Sequence, residues 1–216
     1  MKAVDLTKLL PADVPPGEQV LWHGRPQVIG LMRRAFRADF VLAYFAALTI
    51  WNAASAPDVA AAALVAGKTL GIGAAALALI GLLAFMHARA SLYVITSRRL
   101  VIKAGVALPI FINMPFTQIG SAAAKLHSDG TADIPVAIVK GQRVAYLALW
   151  PHARPFHFSQ PQPALRAVAN GAQVADTLSR ALLAASGEAD AKRQNAVAPA
   201  AAEVVAGVAG GLRGMT

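Results

Sequence analysis

Two runs without Asp, Glu, Lys or Arg interrupt the first half of the chain: Phe40 to Pro57, 18 residues, and Thr69 to Ala88, 20 residues. A bilayer core about 30 Å thick needs about 20 residues at 1.5 Å each. Neither run shows a polar face recurring at helical spacing, which argues against a buried helical hairpin of a soluble protein. The shorter run, "FVLAYFAALTIWNAASAP", has Arg37 placed to snorkel and Tyr44 and Trp51 as interface anchors. The pattern therefore predicts two transmembrane helices over residues 36–88, with "DVAAAALVAG" extending one helix or lying at the interface. Gly67, Gly71 and Ala75, at four-residue spacing, form a candidate helix-packing face, with the alanine-rich composition as the plainer explanation.

After Arg89 the period changes from helix to strand. "LYVITSRRLVIKAG" predicts strands Leu92 to Ile95 and Leu100 to Lys103 about a Thr-Ser-Arg-Arg turn, and "ALPIFINMPF" predicts another. "SAAAKLH" and "ADIPVAIVK" predict a hairpin, with Asp129-Gly130 supplying the positive φ of its turn. A further turn at Lys140-Gly141 leads into "QRVAYLALW". Short strands at this spacing predict an antiparallel barrel or sandwich. Apolar residues from Leu165 to Leu182 fall near one helical face, which predicts a closing helix over Pro163 to Ala185 with Gly187 past its end. Upstream, "PPGEQVLWHGRPQ" predicts a strand or clamp joined to the later sheet.

The resulting division is a cytoplasmic N-terminal segment over 1–35, the helical hairpin over 36–88, a cytoplasmic β domain over 89–187, and a disordered tail over 188–216. The fold class is membrane α plus β.

Charge sharpens the picture. Arg33, Arg34 and Arg37 precede the first run and Arg89, Arg98 and Arg99 follow the second, while only Asp58 and Lys68 lie between. The positive-inside rule then puts both termini in the cytoplasm, and the six arginines at one membrane face. The acids and prolines of the first 35 residues predict no cleavable signal peptide. Composition agrees: 56% hydrophobic, 14% charged, and a net charge of +9. The basic residues are dispersed and have few aromatics among them, unlike a nucleic-acid groove. Topology alone accounts for them, and anionic headgroups supply a second use.

Little in the sequence suggests chemistry. There is no cysteine, so disulfides, thiolate metal sites and cysteine nucleophiles are excluded. His152 and His157 are five apart, with no third ligand near them. The acids are scattered, no G-x-S-x-G occurs, and the "GIG" at Gly71 lies within an apolar run. The expectation is no enzyme and no cofactor. His87, at the end of the second run, is the one candidate ligand at that depth, against a plain helix-end role. The apolar-aromatic stretch "ALWPHARPFHF" is a candidate contact surface, with packing at the barrel's own end as the alternative.

The order "GE…LWHGRP", two apolar helices, "SLYVITSRRLVIKAGVALPIFINMPFTQI" and "LWPHARPF" resembles the bacterial PH-like domain proteins. Among these it is most similar to the PuhB family of photosynthetic complex assembly proteins of purple bacteria. The resemblance covers about residues 15–185. It implies a non-enzymatic assembly factor in the inner (intracytoplasmic) membrane, with reaction-centre subunits and core antenna polypeptides as partners and membrane lipids around it. Trp22, Trp150, Pro151, His152, Arg154 and Phe156 are then the candidate partner contacts. Two alternatives stay open: a general PH-like module that binds lipid or self-associates, and a bacteriochlorophyll delivery protein using His87.

Overall fold

A computed structural model of the chain describes residues 15, 17–139, 150–153 and 162–188. The expected tail, the strand "QRVAYLAL", and Arg154 and Phe156 lie outside the described residues.

The chain opens with strand β1 (Val20–Gly24) and a short helix α1 (Val28–Arg34). Helices α2 (Ala38–Ala54) and α3 (Val59–Ala90) follow and pack against each other. Asp58 caps α3, its Oδ1 accepting the Ala61 N–H at 2.8 Å, so "DVAAAALVAG" is the first turns of that helix. At 1.5 Å per residue α3 extends about 48 Å and α2 about 25 Å. Among the described residues α3 alone is long and apolar enough by itself to cross a membrane; α2, at 17 residues, is a shorter apolar helix. Both present large apolar side chains outward, including Ile50, Trp51, Leu70, Ile72 and Leu79, each more than half exposed. A core helix of a soluble protein would bury that surface.

The packing face between the two helices differs from the expected stripe. Gly67 and Gly71 face open space and Ala75 is exposed, whereas Gly73 meets Phe45 and Thr69 is buried. Asn52 Nδ2 lies 3.5 Å from Thr69 Oγ1 across the same seam. The stripe of Gly67, Gly71 and Ala75 does not pack against α2; the close contact runs through the face on which Thr69 and Gly73 lie.

Among the described residues eight strands make two antiparallel sheets. The first has the order β1-β2-β3-β4, with β2 Leu92–Thr96, β3 Arg99–Ala104 and β4 Ile110–Pro115. β1 pairs antiparallel with β2, so the N-terminal segment does join the later sheet. In the second sheet β7 (Ala132–Ile138) pairs with β5 (Ile119–Ala122), β6 (Lys125–Leu126) and β8 (Ala164–Val168). Gly130, at φ +75°, turns the β6–β7 hairpin. Helix α4 covers residues 171–188. One core unites both sheets and α4 through Tyr93, Ile102, Ile134, Leu165, Val174 and Leu178. The described strands thus form two antiparallel sheets packed on one core.

The expected helix from Pro163 is corrected at its start. Residues 164–168 are strand β8, and the helix begins at 171 and runs through Gly187. Leu165 and Val168 are buried as strand residues paired to β7. Their spacing of three suited a helix equally well, and tertiary pairing decided between the two.

Candidate functional site at the junction of helix and sheet

Only Ser91 separates α3 from β2. Its N–H and Oγ both reach the His87 carbonyl, at 3.0 and 2.7 Å, so the helix end is closed by the linking residue itself. Ser91 Oγ also lies 2.7 Å from His152 Nε2, and Tyr93 Oη lies 2.6 Å from His152 Nδ1. The Arg166 N–H completes the chain, 3.1 Å from Tyr93 Oη.

The direction of these bonds follows from what each atom can do. The His87 carbonyl only accepts, so Ser91 donates to it and must accept from His152 Nε2–H. Nδ1 of the neutral ring then accepts from Tyr93, whose oxygen takes the Arg166 N–H. Every donor and acceptor in this buried row is used. Burial holds His152 neutral, lowering its pKa to about 3, with the nearby His87 and Arg166 adding to the effect. Burial likewise raises the Tyr93 phenol above its usual range. A Ser–His–Tyr row resembles a nucleophile and its base, but these side chains lie beneath the surface. Their geometry fastens helix to sheet.

Beside this row, His87 sits in an aromatic cluster. Its ring centroid is 5.7 Å from Phe36 and 5.6 Å from Trp150, and Phe36 and Trp150 meet edge-on at 5.1 Å. The cluster joins the α1–α2 corner, the end of α3 and the loop before β8. Pigment ligation by His87 would require this cluster to part.

The same corner borders a cavity of about 650 Å³ between α1, α2 and the second sheet. Five cations line it, Arg33, Arg34, Arg37, Lys125 and Arg166, together with His127, Asp39 and Asp133. Arg33 Nε bridges both Asp39 oxygens at 3.1 Å. Arg34 reaches from α1 to Asp129 and, at 2.6 Å, to Thr131, tying the corner to the β6–β7 turn. The Thr131 hydroxyl and N–H, with Arg34, keep the Asp129 carboxyl below its ordinary pKa. Gly30 allows this approach: a Cβ there would stand 2.6 Å from the Ala167 Cβ.

A family model described as bacterial PH domain matches residues 39–182, two thirds of the chain, from the first turn of α2 into α4. The chain belongs to the bacterial PH domain family. It is also 38% identical over 177 residues to the "uncharacterized 23.7 kDa protein in puhA 5′region" of Rhodobacter capsulatus, covering 80% of this chain and 83% of that one. This relative is consistent with the PuhB resemblance. No solved structure matches the chain.

Within this bacterial PH domain the expected surface residues separate. Arg33, Arg34, Arg37 and Arg89 lie about the ends of the apolar helices, with Arg37 over Phe40 and Arg89 over Phe85, each at 5.6 Å. Arg98 and Arg99 do not join them. They lie at the far end of β2, about 13–16 Å along the strand from the helix end. Arg99 is bound there by Glu18 through two bonds of 2.8 and 2.6 Å, which lowers the Glu18 pKa. Of the six arginines expected at one membrane face, four therefore lie about the ends of the apolar helices and two at the far end of β2.

The partner-contact residues separate too. Trp22 packs on the core, its indole filling the space where a Cβ on Gly24 would stand, and His152 and Pro151 are buried. Trp150 alone of the described ones is an exposed aromatic, at 43%. Sequence reading missed Lys125, His127, Asp133 and Arg166 around the cavity. Lys125 and His127 belong to β6 and its end, Asp133 to β7 and Arg166 to β8, and no local spacing joins these three elements.

Proposed function

We propose that this bacterial PH domain protein is a non-enzymatic, membrane-anchored assembly factor for the photosynthetic reaction centre and its core light-harvesting complex. α2 and α3 form a hairpin in the inner membrane, and the β domain and both termini lie on the cytoplasmic side. The observation that carries the scaffold reading is the joint: a one-residue connection, closed by Ser91 and bonded through His152 and Tyr93 into the sheet. Such a joint restricts the domain's freedom above the bilayer, so less orientational entropy is lost when it docks on a large membrane neighbour.

The photosynthetic assignment rests on the PuhB resemblance and on the relative's place in the puhA region, a photosynthesis gene region. α2 is short for the bilayer, and local thinning together with snorkelling of Arg37 accommodates it. Trp150 and its aromatic neighbours at the joint are the contact surface offered to reaction-centre subunits and core antenna polypeptides.

Affinity purification from phototrophically growing cells in mild detergent tests the reading. Recovery of reaction-centre and antenna polypeptides, below the stoichiometry of mature complexes, is the expected outcome. Recovery of the protein alone from cells actively building complexes would overturn it. Topology is read separately. The chain has no cysteine, so single cysteines at Leu108 and at Ser55 report their side of the membrane directly; labelling of both from the same side removes the hairpin.

A further inference from the structure

The cavity beside the α1–α2 corner carries more than topology requires. Arg33 is matched by Asp39 and Arg34 by Asp129. Among the described residues neither Arg37 nor Lys125 has a carboxylate at ion-pair distance. Arg166 is more telling: its side chain is 6% exposed, it lines the cavity, and among the described residues its Nε has no hydrogen-bond partner. Asp133 Oδ2 is 3.8 Å from that nitrogen, beyond bonding distance, and Asp133 Oδ1 is already used by the Ala167 N–H at 2.7 Å. A buried guanidinium N–H left unmatched is costly, and a guanidinium fork matches the paired oxygens of a phosphate or a carboxylate.

The setting narrows the ligand further. Phe40, 68% exposed, lines the same cavity within the first turn of α2, so the mouth is cationic on one side and apolar on the other. About 650 Å³ accommodates a phosphoglycerol-sized group. We propose that this cavity binds the phosphate of an anionic membrane lipid, with Lys125, Arg37 and Arg166 contacting the phosphate and the acyl chains running past Phe40 along α2. A free phosphate offers the same oxygens; the apolar rim favours the lipid. The proposal rests on the reading of α2 and α3 as membrane helices.

The test uses the full chain in a neutral detergent, titrated with short-chain phosphatidylglycerol, short-chain phosphatidylcholine and inorganic phosphate. Phosphatidylglycerol is expected to bind in preference to phosphatidylcholine. Lys125→Gln and Arg37→Gln, both at exposed positions, are expected to weaken it about fivefold each. Arg166→Lys keeps the charge and loses the fork, and weakens it as well; a thermal melt confirms that each variant is folded. Equal binding of the two lipids, or unchanged binding by the Lys125 and Arg37 variants, overturns the site. Displacement of phosphatidylglycerol by equimolar inorganic phosphate overturns the lipid as its source. Carbonate extraction of membranes reads anchoring by itself. A chain that washes off defeats the membrane reading, whereas one that stays and binds both lipids alike defeats only the cavity.

Discussion

Nε2 of His152 lies 2.7 Å from Oγ of Ser91, and this contact joins a loop residue of the sheet domain to the one residue linking helix to sheet. Because Ser91 must also donate to the His87 carbonyl, the histidine is committed to a single tautomer. His152→Ala removes the proton acceptor of Tyr93 and the donor to Ser91 in a dry site. Its expected cost is about 2–4 kcal/mol, read as a fall in melting temperature of the detergent-solubilised protein. Tyr93→Phe loses the partner of both His152 and the Arg166 N–H and costs about 1–3 kcal/mol. An unchanged melt in both would show that the row does not hold the joint.

The same histidine sets a pH dependence. Its pKa falls from the ordinary 6.5 to about 3 on folding. Above pH 6.5 neither state takes up the proton and stability is complete. As the pH drops below 6.5 the unfolded chain is protonated and the folded one is not, so stability declines down to about pH 3. The expected slope is about 1.4 kcal/mol per pH unit between pH 6 and 4.5. Denaturant melts across that window, compared with His152→Gln, check it; equal slopes in the two proteins would reject it.

Helix packing offers a contrast within one helix. Gly73→Ile places a Cβ 2.9 Å from Phe45 Cβ and Cγ and is expected to part α2 from α3 at a cost of about 1–3 kcal/mol. Gly67→Ile and Gly71→Ile point into open space and are expected to leave the hairpin intact. Cross-linking between cysteines at Asn52 and Thr69 reads the separation directly.

The two arginines of the β2–β3 turn should differ. Arg99→Ala leaves Glu18, whose side chain is 3% exposed, without its partner, and is expected to destabilise by about 2 kcal/mol and loosen β1. Arg98 is exposed, and Arg98→Ala is expected to stay within about 0.5 kcal/mol of the parent. Hydrogen exchange of β1 amides separates the two outcomes.

Much of this molecule is legible in one dimension. Runs without charge long enough for a helix, the strand pairs about the Ser97–Arg98 turn and the Asp129-Gly130 hairpin all depend on neighbours within a dozen residues. Composition and period therefore suffice for them. Residues 164–168 show the limit, since five residues of mixed period become strand only because β7 is there to pair with.

The junction and the cavity depend on residues far apart in sequence. Ser91 and His152 are 61 positions apart, and Arg34 and Thr131 are 97 apart. The sequence by itself determined an apolar hairpin followed by a small antiparallel domain, because helix length and strand period are local properties of hydrophobic spacing. Which histidine is buried, which arginines lie about the ends of the apolar helices and which cations share a cavity were decided by the tertiary structure. Burial and ion pairing are set by what folds alongside, and strand direction alone carried Arg98 and Arg99 away from the arginines they resemble in sequence.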